Sequence, residues 1–172
     1  MRNFFVLTIL LVFTSFFAAS AQNYQVHSVY LYSFMKYIKW PDSSENSPFK
    51  LGVVGDSEVT PFLEKLAATK KTGNRTIELT ILDASDENLI ASMDLLFIPK
   101  GNGQHVAIEN ITEIAIRENI VIVSDEMDFP VGGHINFIED NGKLFFELDR
   151  QALEQAGVRI ATELMALARP VQ

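Results

Sequence analysis

Three short clusters hold residue types capable of chemistry. Gly55-Asp56-Ser57 follows an apolar run and precedes a helical stretch, the place where a strand-turn-helix would present a serine nucleophile. A serine hydroxyl needs an imidazole to take its proton. The histidines are His27, His105 and His134, and Asn102 and Val131 stand where an orienting aspartate would precede the last two by three residues. Helix capping by Asp56 or Ser57 is the ordinary account. Gly101-Asn102-Gly103 lies between an apolar run and a helical stripe, as a phosphate-binding turn would. Val106 occupies the third glycine position of the dinucleotide fingerprint, and no Walker loop is present, so no nucleotide cofactor is implied. Asp125, Glu126 and Asp128 offer oxygens suited to a hard cation. Their spacing matches no calcium loop, and the histidines lack zinc-site spacing, so no metal is expected. Asn74-Arg75-Thr76 and Asn110-Ile111-Thr112 match the glycosylation sequon, and both are read as chance. No catalytic constellation emerges.

The elements that would position these residues alternate. Val26, Val29, Tyr30, Phe34, Tyr37 and Ile38 form an apolar stripe at helical spacing, ended by Trp40-Pro41. Strands are expected over residues 49–55, 76–82, 94–98 and 120–123, with helices over 59–68, 86–92 and 104–118 between them. A closing helix is expected over 150–168, capped by Asp149, with Leu153, Ala156, Ile160, Leu164 and Leu167 on its stripe. Short continuous apolar strands alternating with helices imply a mainly parallel sheet covered on both faces. The expected fold is a three-layer α/β sandwich with a C-terminal antiparallel hairpin.

That hairpin belongs to the most distinctive stretch, residues 124–148. An acidic loop turns at Gly132-Gly133 into Ile135–Ile138 and Leu144–Leu148, joined by Asp140-Asn141-Gly142-Lys143. Asn-Gly between alternating apolar runs signals a type I′ turn, whose central residues need positive φ.

Residues 1–21 read as a cleaved signal peptide: Arg2, a 14-residue apolar run from Phe4 to Phe17, and Ala19-Ser20-Ala21. The run is shorter than the roughly 20 residues a spanning helix needs. Cleavage after Ala21 leaves residues 22–172 as one exported domain with no membrane insertion. With the one cation of the leader removed, 13 basic residues face 22 acidic ones, a net charge of −9. Such a surface repels phosphate backbones and anionic lipids, which excludes nucleic acid as a partner. There is no Cys, hence no disulfide.

Taken together, the segments resemble the YfiR family of small periplasmic proteins. The likeness is carried by the Tyr-Leu-Tyr-Ser-Phe-Met-Lys run from Tyr30 to Lys36 ending in Trp40-Pro41, by Leu51–Gly55 and by Asp94–Ile98. It continues through Ser124-Asp125-Glu126, Phe129, Gly132-Gly133, Ile135-Asn136-Phe137 and Gly142-Lys143-Leu144, and ends in Gly157-Val158-Arg159-Ile160 and Leu164–Ala168. The resemblance implies a negative regulator that holds the periplasmic sensor domain of an inner-membrane diguanylate cyclase inactive, lowering cyclic-di-GMP and biofilm formation. It also implies sequestration by an outer-membrane lipoprotein, and a homodimer. Relatives are described as disulfide-containing; without cysteine, redox control of that kind cannot operate here.

Two functions follow from these readings. The first is a non-enzymatic regulator that touches a diguanylate cyclase or sensor kinase through an exposed surface formed by Asp125, Glu126, Asp128, Phe129, Gly132, Gly133, His134 and Asn136. The second is a small-molecule sensor domain. Parallel sheets place ligand crevices beyond the carboxyl ends of their strands, here Asp56, Ser57, Asp83, Lys100 and Ser124.

Overall fold

The structure, a computed structural model, describes residues 24–40, 47–101, 105–125 and 133–169, the side chains of 105–107 excepted. The leader, Glu126, Asp128, Phe129 and Gly132 lie outside the described residues, as do Asn102 and Gly103.

Helix α1 spans residues 24–37. The chain continues through β1 (Ile38–Lys39), β2 (Phe49–Val54), α2 (Thr60–Thr69), β3 (Lys71–Thr72), β4 (Arg75–Leu82), α3 (Glu87–Ile90), β5 (Leu95–Ile98), α4 (His105–Glu118) and β6 (Val121–Asp125). It ends with β7 (Ile135–Asp140), β8 (Lys143–Leu148), α5 (Arg150–Gln155), β9 (Arg159–Ile160) and α6 (Thr162–Met165). The main sheet has the order β3-β4-β2-β5-β6-β7-β8. Its centre, β4-β2-β5-β6-β7, is parallel, and β3 and β8 are antiparallel edges. The expected three-layer α/β sandwich is the observed fold.

The alternation of side chains along each strand divides the core. Leu51, Val53, Leu95, Phe97, Val121, Val123, Ile135 and Phe137 pack on one face with Leu31, Phe34 and Met35 of α1, Leu63 of α2, Leu153 and Leu164. Leu96, Ile98 and Ile122 pack on the other with Ile90 of α3 and Ile111, Ile114 and Ala115 of α4. Crossovers in such sheets are right-handed. The chain moves outward from β2 to β4, then back past β2 to β5 and on to β6. That reversal places α2 on one face and α3 and α4 on the other.

Several sequence expectations are corrected. The buried stripe of α1 is His27, Leu31, Phe34 and Met35; of the expected stripe Phe34 and, in β1, Ile38 are buried, while Val26, Val29 and Tyr37 are exposed. The stripe is rotated by about one residue, roughly 100°, because the aromatic residues outweighed the i, i+4, i+7, i+8 series that starts at His27. Val59 stands at the N-cap of α2 with no side-chain cap, and Ser57 Oγ instead accepts the Val59 amide at 3.3 Å. The long closing helix is broken. Gly157 adopts φ +73° and ends α5, after which β9 pairs antiparallel with β1 through Ile38↔Ile160 and Lys39↔Arg159. A left-handed glycine is a common helix stop, favoured by the absence of a Cβ. Leu167, expected on the buried stripe, is exposed.

Other expectations hold. Asp149 Oδ1 accepts the Ala152 amide at 2.9 Å as the cap of α5. Asn141 and Gly142, at φ +52° and +72°, form the tight β7–β8 turn between the paired Asp140 and Lys143. Trp40 donates Nε1–H to the Met35 carbonyl at 2.9 Å, closing the end of α1, and packs edge-on against Phe49.

Candidate functional site

The reversal of strand order at β2 and β5 marks where a doubly wound sheet opens a crevice beyond its strand ends. Past β2 come Asp56, Ser57 and Glu58, past β5 comes Lys100, and β6 ends in Asp125. The first turns of α1 lie over this edge. They bring in two residues that the sequence reading did not single out, Tyr24 and His27.

His27 Nε2 is 3.1 Å from Asp125 Oδ1, and both side chains are buried. A carboxylate only accepts, so Nε2 carries the proton. The imidazole sits among rings: Phe137 edge-on with centroids 4.7 Å apart, Tyr24 at 5.8 Å and Phe97 at 6.3 Å. Burial raises the Tyr24 hydroxyl above its ordinary value, and the negative charges of Glu58 and Asp125 add to the rise, while Lys100 opposes it. The edge is thus a buried His–Asp pair under a half-buried tyrosine, rimmed by exposed Asp56, Glu58 and Lys100.

A second polar group lies in the seam between β6 and β7. The Ile122 amide donates to His134 Nδ1 at 3.0 Å, and the His134 amide donates to the Ile122 carbonyl at 3.1 Å. Burial holds the His134 imidazole down to about 4, with Asp149 pulling the other way. Gly133 adopts φ +96°, and a Cβ there would meet the Ile122 side chain at 2.5 Å. Ser124 Oγ lies 2.9 Å from Asn136 Oδ1 and 3.3 Å from the Ile135 carbonyl.

The structure therefore separates residues that the sequence reading grouped. Asp125, His134 and Asn136 were expected on an exposed surface, yet all three are buried. Asp125 serves α1, and His134 and Asn136 hold the β6–β7 seam. Of the expected crevice residues, Asp56, Ser57 and Lys100 stand at the carboxyl edge. Ser124 does not: it lies within β6, fully buried on the opposite face from Asp125. Asp83, past β4, accepts from the Ser85 hydroxyl at 2.7 Å and amide at 2.9 Å, which hold its carboxyl below the usual range. It shapes a turn. The signal that would have found His27 was its place at the head of the buried i, i+4, i+7, i+8 series. Among the described residues, no three His, Asp or Glu side chains converge as a metal site requires. No helix among them is long and apolar enough to cross a membrane.

A family model described as YfiR/HmsC-like matches residues 24–169, nearly all of the chain. The chain belongs to the YfiR/HmsC-like family. It is a regulatory, non-catalytic family, and membership suggests a periplasmic regulator of cyclic-di-GMP signalling. A search among curated proteins gives no match. Among solved structures, the ABC domain in complex with L-Trp from Streptococcus pneumoniae superposes with a TM-score of 0.54 at 11% identity, covering 72% of this chain and 55% of that one. A conserved domain protein from Vibrio cholerae O1 biovar El Tor gives 0.50 at 13% identity, covering 72% and 54%. The YfiR/HmsC-like chain thus spans about half the length of these structures, and the likeness is one of fold.

Proposed function

We propose that this YfiR/HmsC-like chain is exported, loses residues 1–21, and binds the periplasmic sensor domain of an inner-membrane signalling protein, holding it inactive. A diguanylate cyclase is the first candidate partner and a sensor kinase the second. The family match over residues 24–169 carries the reading. Repression of this kind is a population shift: the regulator stabilises the inactive sensor by its differential affinity for that state. Moving an evenly balanced sensor to 99% inactive needs about a 100-fold preference.

The surface we assign to the contact is the rim of the carboxyl edge, Asp56, Glu58 and Lys100 around Tyr24, together with Glu126, Asp128, Phe129 and Gly132 of the adjoining block. The buried residues act beneath it. His27 and Asp125 fix α1 against the strand ends, and Gly133, His134 and Asn136 fix the start of β7. An outer-membrane lipoprotein that occupied the same rim would relieve the repression, and a homodimer would double the surface presented.

The test is a pull-down of detergent-solubilised inner membrane with the mature chain, combined with cellular cyclic-di-GMP levels. Capture of a cyclase or kinase, with cyclic-di-GMP rising on deletion and falling on complementation, supports the reading. Unchanged cyclic-di-GMP and no captured signalling protein sinks it. A small-molecule sensor is the second reading. It is favoured by the polar, ring-lined edge at the strand-order reversal, and a thermal-shift screen with periplasmic metabolites separates it from pure protein binding.

A further inference from the structure

Immediately before β7, His134 is joined to β6 through a single residue, Ile122. Ile122 gives its amide proton to the His134 side chain and receives the His134 amide proton on its carbonyl. A ring nitrogen therefore stands where a backbone carbonyl would ordinarily complete the parallel ladder. The same residue reaches the next junction, because the Asp149 amide donates to the His134 carbonyl at 2.9 Å. Gly133 leaves no slack on the other side, since its backbone lies directly against the Ile122 side chain. Beyond this point the strands pair through Val123↔Ile135, Ser124↔Asn136 and Asp125↔Phe137, so the acceptor that a proton can remove closes the first step of the seam.

We propose that His134 is an acid-sensitive latch: with Nδ1 unprotonated the β6–β7 seam is closed, and protonation of Nδ1 releases the Ile122 amide and opens it. An imidazolium donates from both nitrogens and accepts at neither. The Ile122 amide would then face a second N–H in a buried site, and neither donor could be satisfied without movement. The charged group that bears on the ring is Asp149, from the β8–α5 junction, and it favours the proton. From β6 the ring meets the uncharged Ile122 backbone. Burial outweighs Asp149 and holds the closed form neutral down to about 4. His27 of α1, which meets Asp125 three residues further along β6, is a different case. Its partner is a carboxylate, so protonating the ring leaves that hydrogen bond in place. The inference concerns this chain's own motion and stands whether or not the proposed partner is right.

The expected size follows from linkage. A closed form titrating near 4 and an open form near 6.5 make the opening constant rise roughly 20-fold between pH 7 and pH 5. The experiment is amide hydrogen exchange at Ile122 in the mature chain, corrected for intrinsic rates, in the wild type and in His134→Asn. Asparagine sets its Oδ1 the same number of bonds from the backbone as Nδ1, so it keeps the acceptor and does not titrate. Protection that falls about 20-fold in the wild type and stays flat in His134→Asn supports the latch. Equal falls, or no fall in either, overturns it. Nitrogen-15 NMR of the wild-type imidazole decides independently should the variant not fold. Titration near 4 with an unprotonated Nδ1 at neutral pH supports the latch, and titration near 6.5 with Ile122 protection intact overturns it.

Discussion

Each end of the parallel sheet carries a hydrogen-bonded side-chain pair, and the pairs are built differently. At the amino end, Arg75 Nη2 meets Asp94 Oδ2 at 2.7 Å. The guanidinium also donates to the Ser47 carbonyl at 2.9 Å and the Pro48 carbonyl at 2.8 Å, and lies over the Phe49 ring. Asp94 in turn accepts the Lys50 amide at 2.8 Å. Its members draw on backbone groups from β2 and the segment before it, and arginine keeps its charge at every accessible pH. At the carboxyl end, the His27–Asp125 pair is enclosed by aromatic rings and rimmed by Asp56, Glu58 and Lys100. A pair anchored to backbone is a staple. The proposed contact surface is the exposed charged rim over the other pair.

Removing the staple should have the largest effect. Arg75→Ala leaves a half-buried carboxylate and two carbonyls without their donor, and we expect a loss of about 4 kcal/mol by urea denaturation. Capture of the signalling partner by the fraction still folded should be unchanged. If instead the stability cost is small and capture is lost, the roles assigned to the two ends are reversed.

Acidification comes next. The folded value of His134 lies below the unfolded one, about 4 against 6.5. The stability it confers is therefore fully present above pH 6.5 and is lost as pH falls toward 4. That loss amounts to about 3 kcal/mol. Denaturation midpoints from pH 7 to 4 should show this slope in the wild type, and His134→Asn should remove that part of it.

Asp125→Asn is smaller in stability and larger in function. The amide oxygen still accepts from His27, so we expect a cost of about 1–2 kcal/mol. Loss of the charge alters the electrostatics beneath Tyr24, and repression measured by cyclic-di-GMP should weaken. Wild-type repression at equal abundance would show that the carboxyl edge is scaffold as much as the amino edge is. The exposed Arg150–Glu154 pair on α5, 2.9 Å apart, sets the floor of the scale. Glu154→Gln should change stability by less than about 0.5 kcal/mol.

Much of the fold was legible in local pattern. Leu95–Ile98 and Val121–Val123 are apolar throughout because both faces of a central parallel strand are covered. Asn141-Gly142 announced its turn through the φ values that turn requires. The site was less legible, for reasons visible in particular residues. His27 reads as a polar interruption of an aromatic helix until Asp125, 98 residues later, is placed beside it. His134 and Asn136 read as the exposed start of a hairpin because nothing local shows that β7 lies parallel to β6 and is covered.

The sequence by itself determined the central strands and the helices between them, the doubly covered sheet and the membership of a family, because period, turn chemistry and motif order are local properties. Tertiary structure alone decided which face of α1 is buried, that the closing helix breaks at Gly157 so that β9 can pair with β1, and which acidic and imidazole side chains meet. Those outcomes depend on contacts between residues distant in the chain, and a pair's chemistry exists only once folding has removed the water between its members.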